Sequence, residues 1–404
     1  MLCTWRPAAR ALPLRSRVSR GGPSERSAVL QPTKNVHFRK LTTMAAWVID
    51  KYGSNEVLEF REDNRRPSVC TSAEVLLKVH AAALNPVDVA MRGGYGSTLL
   101  GVRRDALSLG WMGGEFPLVL GRDASGVVVE CGSGVTHFQP GDEVWAAIPP
   151  WKQGSLAEFV VLSESEVSHK PKSLSHTQAA SIPYVASTVW SALVVTAGLN
   201  KDSCSGKRVL IVGASGGIGI LAIQLMKVWG AHVTATCSRS AEGLVRSLGA
   251  DHVVDYTSGD TKAQLETLEK FDVVLDNVGG DTEDWAVTLL RPWAGAKYIT
   301  LVTPFLLNLD KLGLAEGTVQ TGLTAGSKAL KNLCDKGVHY RWAFFAPNGA
   351  ALDQIADMVD EEQVRPVVEA EFSFSKVAQA FQKVEQGHAR GKTVINIVAE
   401  DHPQ

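Results

Sequence analysis

The chain has 404 residues, 45% of them hydrophobic, and a formal net charge of −1, which leaves room for two or three domains with sizeable cores. Nine of its 41 Lys and Arg but one of its 42 Asp and Glu fall in residues 1–43, so the remainder carries −9. Such an acidic body argues against non-specific binding to nucleic acid, and no run of about 18 apolar residues points to a membrane span.

The opening segment, "MLCTWRPAARALPLRSRVSRGGPSERSAVL", is rich in Arg and Ser and almost free of acids. Its apolar residues are interspersed with Arg and form no secretory core. An amphipathic basic segment of this kind is drawn by an inside-negative potential, so residues 1–43 read as a mitochondrial transit peptide rather than a plain disordered tail. The folded part then begins near "TTMAAWVIDKYG", in a protein expected in the mitochondrial matrix. The six cysteines (Cys3, Cys70, Cys131, Cys204, Cys237, Cys334) are scattered, with no Cys-x-x-Cys. They suit a reducing compartment and offer neither a disulfide framework nor a zinc knuckle.

Residues 44–184 are β-rich. "EVLLKVHAAAL", "ASGVVVECG", "FQPGDEVWAAI" and "GSLAEFVVL" read as strands between Gly and Pro turns. "STLLGVRRDALSLGWMGGEFP" reads as one long loop, a candidate lid. Over 185–345 the pattern changes. "YVASTVWSALVVTAGL" predicts a helix, and strands at 208–214, 232–238, 252–256, 272–278 and 296–302 alternate with helical text, as in a parallel sheet of βαβ units. Residues 304–337 read as a loop plus a helix near "TAGSKALKNL", and "VHYRWAFF" as a sixth strand. Residues 346–404 close with strand, helix, loop and strand.

In "VLIVGASGGIG" the residues Gly213, Ser215, Gly216, Gly217 and Ile218 lie where the first parallel strand turns into a helix. Glycine permits the tight turn and lets backbone N–H groups approach a pyrophosphate over the positive helix end. A turn needed only for packing is the plainer alternative; the strand before it and the second strand some twenty residues on favour a dinucleotide. That second strand ends in "TATCSRS". An acid there would bond ribose hydroxyls and repel a phosphate, but Ser238 and Arg239 offer a hydroxyl and a cation, so NADPH is favoured over NADH. Tyr256, ending the third strand, either lines the adenosine pocket or simply packs.

"LNPVDVAMRGGY", "LGRDASGVVVECGSGV", "FQPGDEVWA", "GSLAEFVVL", "GASGGIG" and "GHARGKTVINIV" stand in order from Ala45 to Val398. On these blocks the chain resembles the medium-chain dehydrogenase/reductase superfamily, in its quinone oxidoreductase (zeta-crystallin-like) branch. The resemblance implies an α/β protein with a GroES-like catalytic domain (44–184), a doubly wound Rossmann domain (185–345), a C-terminal return to the former (346–404), and an active site in the cleft between them. Zinc-dependent members carry a Cys in the loop corresponding to "NPVDVAMRGG" and Gly-His-Glu before the next strand. Here the loop has no Cys and the block reads Gly121-Arg122-Asp123, so no metal is expected.

The chemistry left is hydride transfer from NADPH to an acceptor already electrophilic, a quinone or enone, with a polar group near its carbonyl. By the resemblance Asn85 and Asp88 lie near the nicotinamide, and Tyr95 hydrogen-bonds a quinone oxygen or donates a proton. The plainer reading makes Asn85 a turn starter and Asp88 a helix cap partnered by Arg92. Further cofactor contacts carried over by position are Asn277, Val278, Val302, Tyr340, Phe344, His388, Ala389 and Arg390. A 2-enoyl-thioester reductase and a nucleotide-binding interaction protein are the alternatives. "VTPFLLNLD", "GVHYRWAFF" and the basic leader resemble a mitochondrial subgroup of the branch, which implies a reticulon as protein partner. Membrane contact is expected only through a lipophilic substrate, ubiquinone metabolism is the expected setting, and an oligomer is compatible with the sequence.

Overall fold

The computed structural model describes residues 42–104 and 115–398. The basic leader and residues 105–114 of the expected lid loop lie outside them. In chain order, β1 (Thr43–Ile49) and β2 (Glu59–Arg65) form a hairpin-like pair, followed by the long β3 (Glu74–Leu84), α1 (Pro86–Arg92), α2 (Ser97–Arg104) and β4 (Leu118–Val119). Next come β5 (Asp123–Cys131), β6 (Glu143–Ala147), β7 (Phe159–Ser163), β8 (Val167–His169) and α3 (Pro183–Val189). The alternating part holds β9 (Arg208–Val212), α4 (Gly217–Val228), β10 (His232–Cys237), β11 (His252–Asp255), β12 (Val273–Asp276), β13 (Lys297–Thr300), α5 (Phe305–Lys336) and β14 (His339–Trp342). The chain closes with β15 (Val368–Ser373), α6 (Val377–Glu385) and β16 (Lys392–Asn396).

These strands build two main sheets. Strands β9–β14 form a parallel sheet in the order β11-β10-β9-β12-β13-β14. Strand order reverses between β9 and β12, and the carboxyl ends flanking that switch point form a crevice for ligands. Strand β9, "RVLIV", has its last four residues buried, because a parallel strand is covered by helices on both faces. The other sheet runs β15-β16-β3-β5-β6-β8, with β7 also on β3. Strand β16 enters it antiparallel to β3, so the last described strand joins the sheet that β3 begins. Around that insertion Leu84, Met91, Phe381 and Ile395 are buried in one core; each such side chain contributes about 1.5–3 kcal/mol.

Two expectations are corrected. The first half of the supposed lid loop is helix α2, and residues 304–337 are helical from Phe305 to Lys336, not a loop followed by a helix. Gly313, at φ 78° and ψ 174°, breaks α5 into two helices. Of the described side chains of α5, Leu309 and Thr321 are buried, so the segment lacks the continuous apolar stripe that betrays a helix in sequence. Tertiary bonds hold it instead, through Asp310 to the start of α2 and Lys328 to Glu283. The sequence also conceals a 21-residue stretch, His176–Thr196, long and apolar enough to span a bilayer; it is mostly buried and serves as core, α3 continuing into a π-helical turn at Trp190–Thr196.

Candidate active site

A cleft of about 850 Å³ opens between the two sheets. On the parallel-sheet side its wall is the turn from β9 to α4. Gly213 takes φ +73°, a left-handed conformation that favours glycine, and its N–H donates to Thr236 Oγ1 at 3.2 Å. A Cβ at Gly219 would stand 2.5 Å from Ala214 Cα, so this glycine lets α4 pack on the turn. Gly216 at the N-cap has only the Gly213 carbonyl at 4.0 Å from where a side chain would begin. The first turn of α4 has no side-chain cap, which leaves backbone N–H groups at a positive helix end facing open space. That cradle fits a pyrophosphate. Ser215 and Ile218 sit in the same turn, half-buried.

At the carboxyl end of β10, Ser238 Oγ lies 3.2 Å from Ser240 Oγ, Arg239 is exposed, and no described carboxylate pairs with its guanidinium. Tyr256 donates its backbone N–H to Cys237 at 3.1 Å and leaves its ring 45% exposed beside them. Hydroxyl, cation and aromatic ring therefore meet at one corner, outside the cleft proper. The end of β12 is organised by buried Asp276, which accepts from Val278 and Gly279 N–H at 2.9 and 3.0 Å and from the Tyr298 hydroxyl. Asn277 donates Nδ2 to Val212 at 2.9 Å, while its Oδ1 is buried without a partner among the described residues. An orphaned acceptor in the cleft wall costs free energy until a ligand donor satisfies it. Val302 and Phe344 line the same wall, Phe344 edge-on to Phe305 at 5.6 Å. His388 (φ +51°) and Ala389 close it from the loop before β16.

Four sequence candidates stand elsewhere. Tyr340 is buried in the parallel sheet, stacked on Tyr298 at 5.3 Å and hydrogen-bonded to Glu283 and Trp342; it does not reach the cleft. Val278 is exposed beside the lining rather than in it, and Arg390 lies outside the lining with its backbone N–H on Glu369 at 3.0 Å and its Nε 4.0 Å from the same carboxylate. Asp88, proposed as catalytic, is fully buried. It accepts from Asn85 N at 2.9 Å and Gly121 N at 2.8 Å, and its Oδ1 lies 3.5 Å from Arg122 Nε. It is a cap and a counter-ion, and its partner is Arg122 rather than Arg92, which pairs with Glu385.

The opposite wall carries Asn85 and Tyr95. Burial, then the negative charge of Asp310, raises the Tyr95 phenol; its hydroxyl has no hydrogen-bond partner among the described residues. Leu99, Leu100, Trp151, Phe305 and Leu306 line the same cleft and make this wall apolar. The sequence reading overlooked three residues here. Lys392 lines the floor, and Tyr184 stacks on Phe345 at 4.3 Å and 11°. Asp123 bonds Lys392 Nζ at 2.9 Å, Asn85 Nδ2 at 2.7 Å and Tyr184 N at 2.6 Å.

A doubly wound parallel sheet and a second β sheet facing each other across a glycine-walled cleft define a two-domain, dinucleotide-dependent oxidoreductase. Residues 71–172 match the alcohol dehydrogenase GroES-like domain and residues 248–395 the family described as zinc-binding dehydrogenase. The chain is 63% identical to the Danio rerio NAD(P)H oxidoreductase RTN4IP1, mitochondrial, over 89% of its own length and 92% of that protein's. It is 59% identical to the Homo sapiens protein of that name over 98% and 96%. The solved quinone oxidoreductase of Coxiella burnetii is similar at a TM-score of 0.70 and 29% identity, covering 88% of this chain and 99% of that one. The chain belongs to the mitochondrial NAD(P)H oxidoreductase family of the medium-chain dehydrogenase/reductase superfamily.

The zinc in one family description does not suit the residues present. Arg122 Nη1 and Nη2 donate to the carbonyls of Pro149, Lys152 and Val119, each at 2.9 Å, and fill the position next to Asp123 with a cation. Burial lowers Arg122 to about 10, which leaves it charged at neutral pH. Both neighbouring carboxylates are saturated by donors, and no group of three His, Cys, Asp or Glu converges among the described residues.

Proposed function

We propose that this protein transfers hydride from NADPH to a quinone or similarly activated carbonyl acceptor without zinc, in the mitochondrial matrix and in ubiquinone metabolism. In this reading residues 1–43 direct import, 185–345 hold the dinucleotide, and 44–184 with 346–404 hold the acceptor. The observation that carries it is the cleft itself: an uncapped glycine cradle on one wall faces an apolar pocket with a partnerless Tyr95 hydroxyl on the other.

When bound, NADPH would supply hydride, a proton with two electrons; a second proton from solvent or Tyr95 would complete reduction of the quinone to hydroquinone. The chain's own residues orient and stabilise. The α4 N-terminus and Asn277 hold the dinucleotide, and Ser238 with Arg239 receive the 2′-phosphate. Leu99, Leu100 and Phe344 exclude water, and Asn85 and Tyr95 present polar hydrogens to the acceptor oxygen. Purified protein is expected to oxidise NADPH with 1,4-benzoquinone, with kcat/KM above that for NADH by about tenfold or more, the effect of one charge-assisted hydrogen bond. Absence of turnover across a quinone and enone panel, with NADPH bound, overturns the enzyme reading in favour of a nucleotide-binding interaction protein.

A further inference from the structure

Lys392, the first residue of β16, is 6% exposed on the cleft floor. A lysine so deeply placed requires partners. Its Nζ donates to Asp123 Oδ2 at 2.9 Å and to Asn85 Oδ1, and Asn85 Nδ2 donates back to the same Asp123 oxygen at 2.7 Å. The three side chains close a ring. Asp123 Oδ1 is taken by the Tyr184 N–H at 2.6 Å, so that carboxylate is anchored at both oxygens.

This ring removes an ambiguity that an asparagine ordinarily has. An ammonium only donates and an ionised carboxylate only accepts, so the Asn85 oxygen must face Lys392 and its NH₂ must face Asp123. One amide hydrogen is used on Asp123; the second is left for the cleft that Asn85 lines. Without Lys392 the carboxamide is held through its NH₂ alone, so its plane can swing about that one bond and carry the second N–H away from the acceptor oxygen. The neighbouring pair Arg122 and Asp88 makes the buried set two cations and two carboxylates, neutral as a whole. The ring is also braced against the cofactor wall: Gly391 bridges to Gly216, and a Cβ at Gly217 would lie 2.9 Å from Lys392 Cδ.

We propose that Lys392 and Asp123 are positioning residues that lock the Asn85 carboxamide with an N–H toward the acceptor oxygen, where negative charge grows as hydride arrives. The inference rests on the proposed hydride transfer to a quinone and deepens it. Neither Lys392 nor Asp123 touches the acceptor; both act through Asn85.

The test is single-turnover loss of NADPH fluorescence with 1,4-benzoquinone. Lys392→Met is expected to slow this step about 10- to 100-fold, below the effect of deleting a direct oxyanion donor. Its Kd for NADPH is expected to change less than about threefold, because the donors to the dinucleotide lie elsewhere. The steady-state isotope effect with 4-deuterated NADPH is expected to rise as chemistry becomes limiting, and Lys392→Arg to recover part of the rate. Since an unpaired Asp123 is costly to bury, the double variant Asp123→Asn/Lys392→Met removes both charges; folded by circular dichroism, it is expected to remain slow. If either variant folds and reduces the quinone at the wild-type rate, the inference is overturned. A matched loss of NADPH affinity and rate with an unchanged isotope effect also overturns it, since that marks a structural role only. Wild-type protein that binds NADPH but never reduces the quinone overturns the parent reading together with this one.

Discussion

Arg239 shows what a single residue decides. It stands at the end of β10 with Ser238, where a carboxylate would select against a phosphate; Asp255 takes its backbone N–H, and no described carboxylate pairs with its guanidinium. Arg239→Glu is expected to raise KM for NADPH about 10- to 100-fold, from the loss of about 1.5–3 kcal/mol of charge-assisted bonding, while KM for NADH changes little. Steady-state kinetics with both cofactors checks this; equal effects on the two would move the 2′-phosphate elsewhere. Its position at the strand end was legible in the sequence, and its proposed part in binding the 2′-phosphate follows from that position and its charge. Asp88 was not. The "NPVD" run spells a cap, yet only the fold brings Gly121 N–H and Arg122 onto the same carboxylate. Lys392 was missed for a related reason: a Lys opening an apolar strand usually reaches water, and its burial depends on Asp123 and Asn85, 269 and 307 residues away.

The element that makes the cofactor wall is the strand–turn–helix of β9 and α4. Gly217 is the obvious glycine to substitute, but its Cβ would meet Lys392 Cδ at 2.9 Å and Val185 Cγ1 at 3.1 Å, so a change there disturbs the Lys392 ring as well as the cradle. Gly216 is the cleaner probe. Its φ of −76° and ψ of 165° suit any residue, and its side-chain direction is open. Gly216→Val is expected to keep the fold, with Tm within a few degrees, and to weaken NADPH binding at least about 30-fold by filling the anion cradle. Calorimetric titration with melting curves checks it. The turn was readable because strand, glycines and helix are adjacent in sequence. Helix α5 was not, because few of its side chains face a core and its order comes from Asp310, which accepts from Gly96 and Thr98 N–H at 2.6 and 3.0 Å across the cleft.

For the whole molecule, one contribution to acid stability comes from a histidine packed on the β3–β5–β6 sheet. His176 Nδ1 lies 2.8 Å from Ser125 Oγ, its ring 4.4 Å from that of His80, and Nε2 3.4 Å from Glu143, which Lys170 also pairs. Burial first, then His80, pushes His176 from 6.5 down to about 4. The folded protein therefore keeps it neutral where the unfolded chain protonates, so the unfolded state binds more protons between about pH 4 and 6.5. Stability is expected to fall as pH drops through that window and to be independent of this group above it. Thermal melts from pH 7.5 to 4.5 check the slope, and His176→Gln is expected to flatten it. An unchanged slope in the variant would assign the acid sensitivity to other groups.

By itself the sequence determined the two sheet types, the glycine turn, the placing of Ser238 and Arg239 at a strand end, and the misfit of Gly121-Arg122-Asp123 to a metal. Each is a local property, carried by periodicity, glycine or charge within some twenty residues. Tertiary structure alone decided which polar groups face the cleft. Tyr340 and Asp88 were withdrawn into the core, Arg390 was set against Glu369, and Lys392, Asp123 and Asn85 were joined from three distant segments. A buried charge is tolerated only where opposite charge and hydrogen bonds converge on it, and that convergence exists only once the last strand has inserted beside β3.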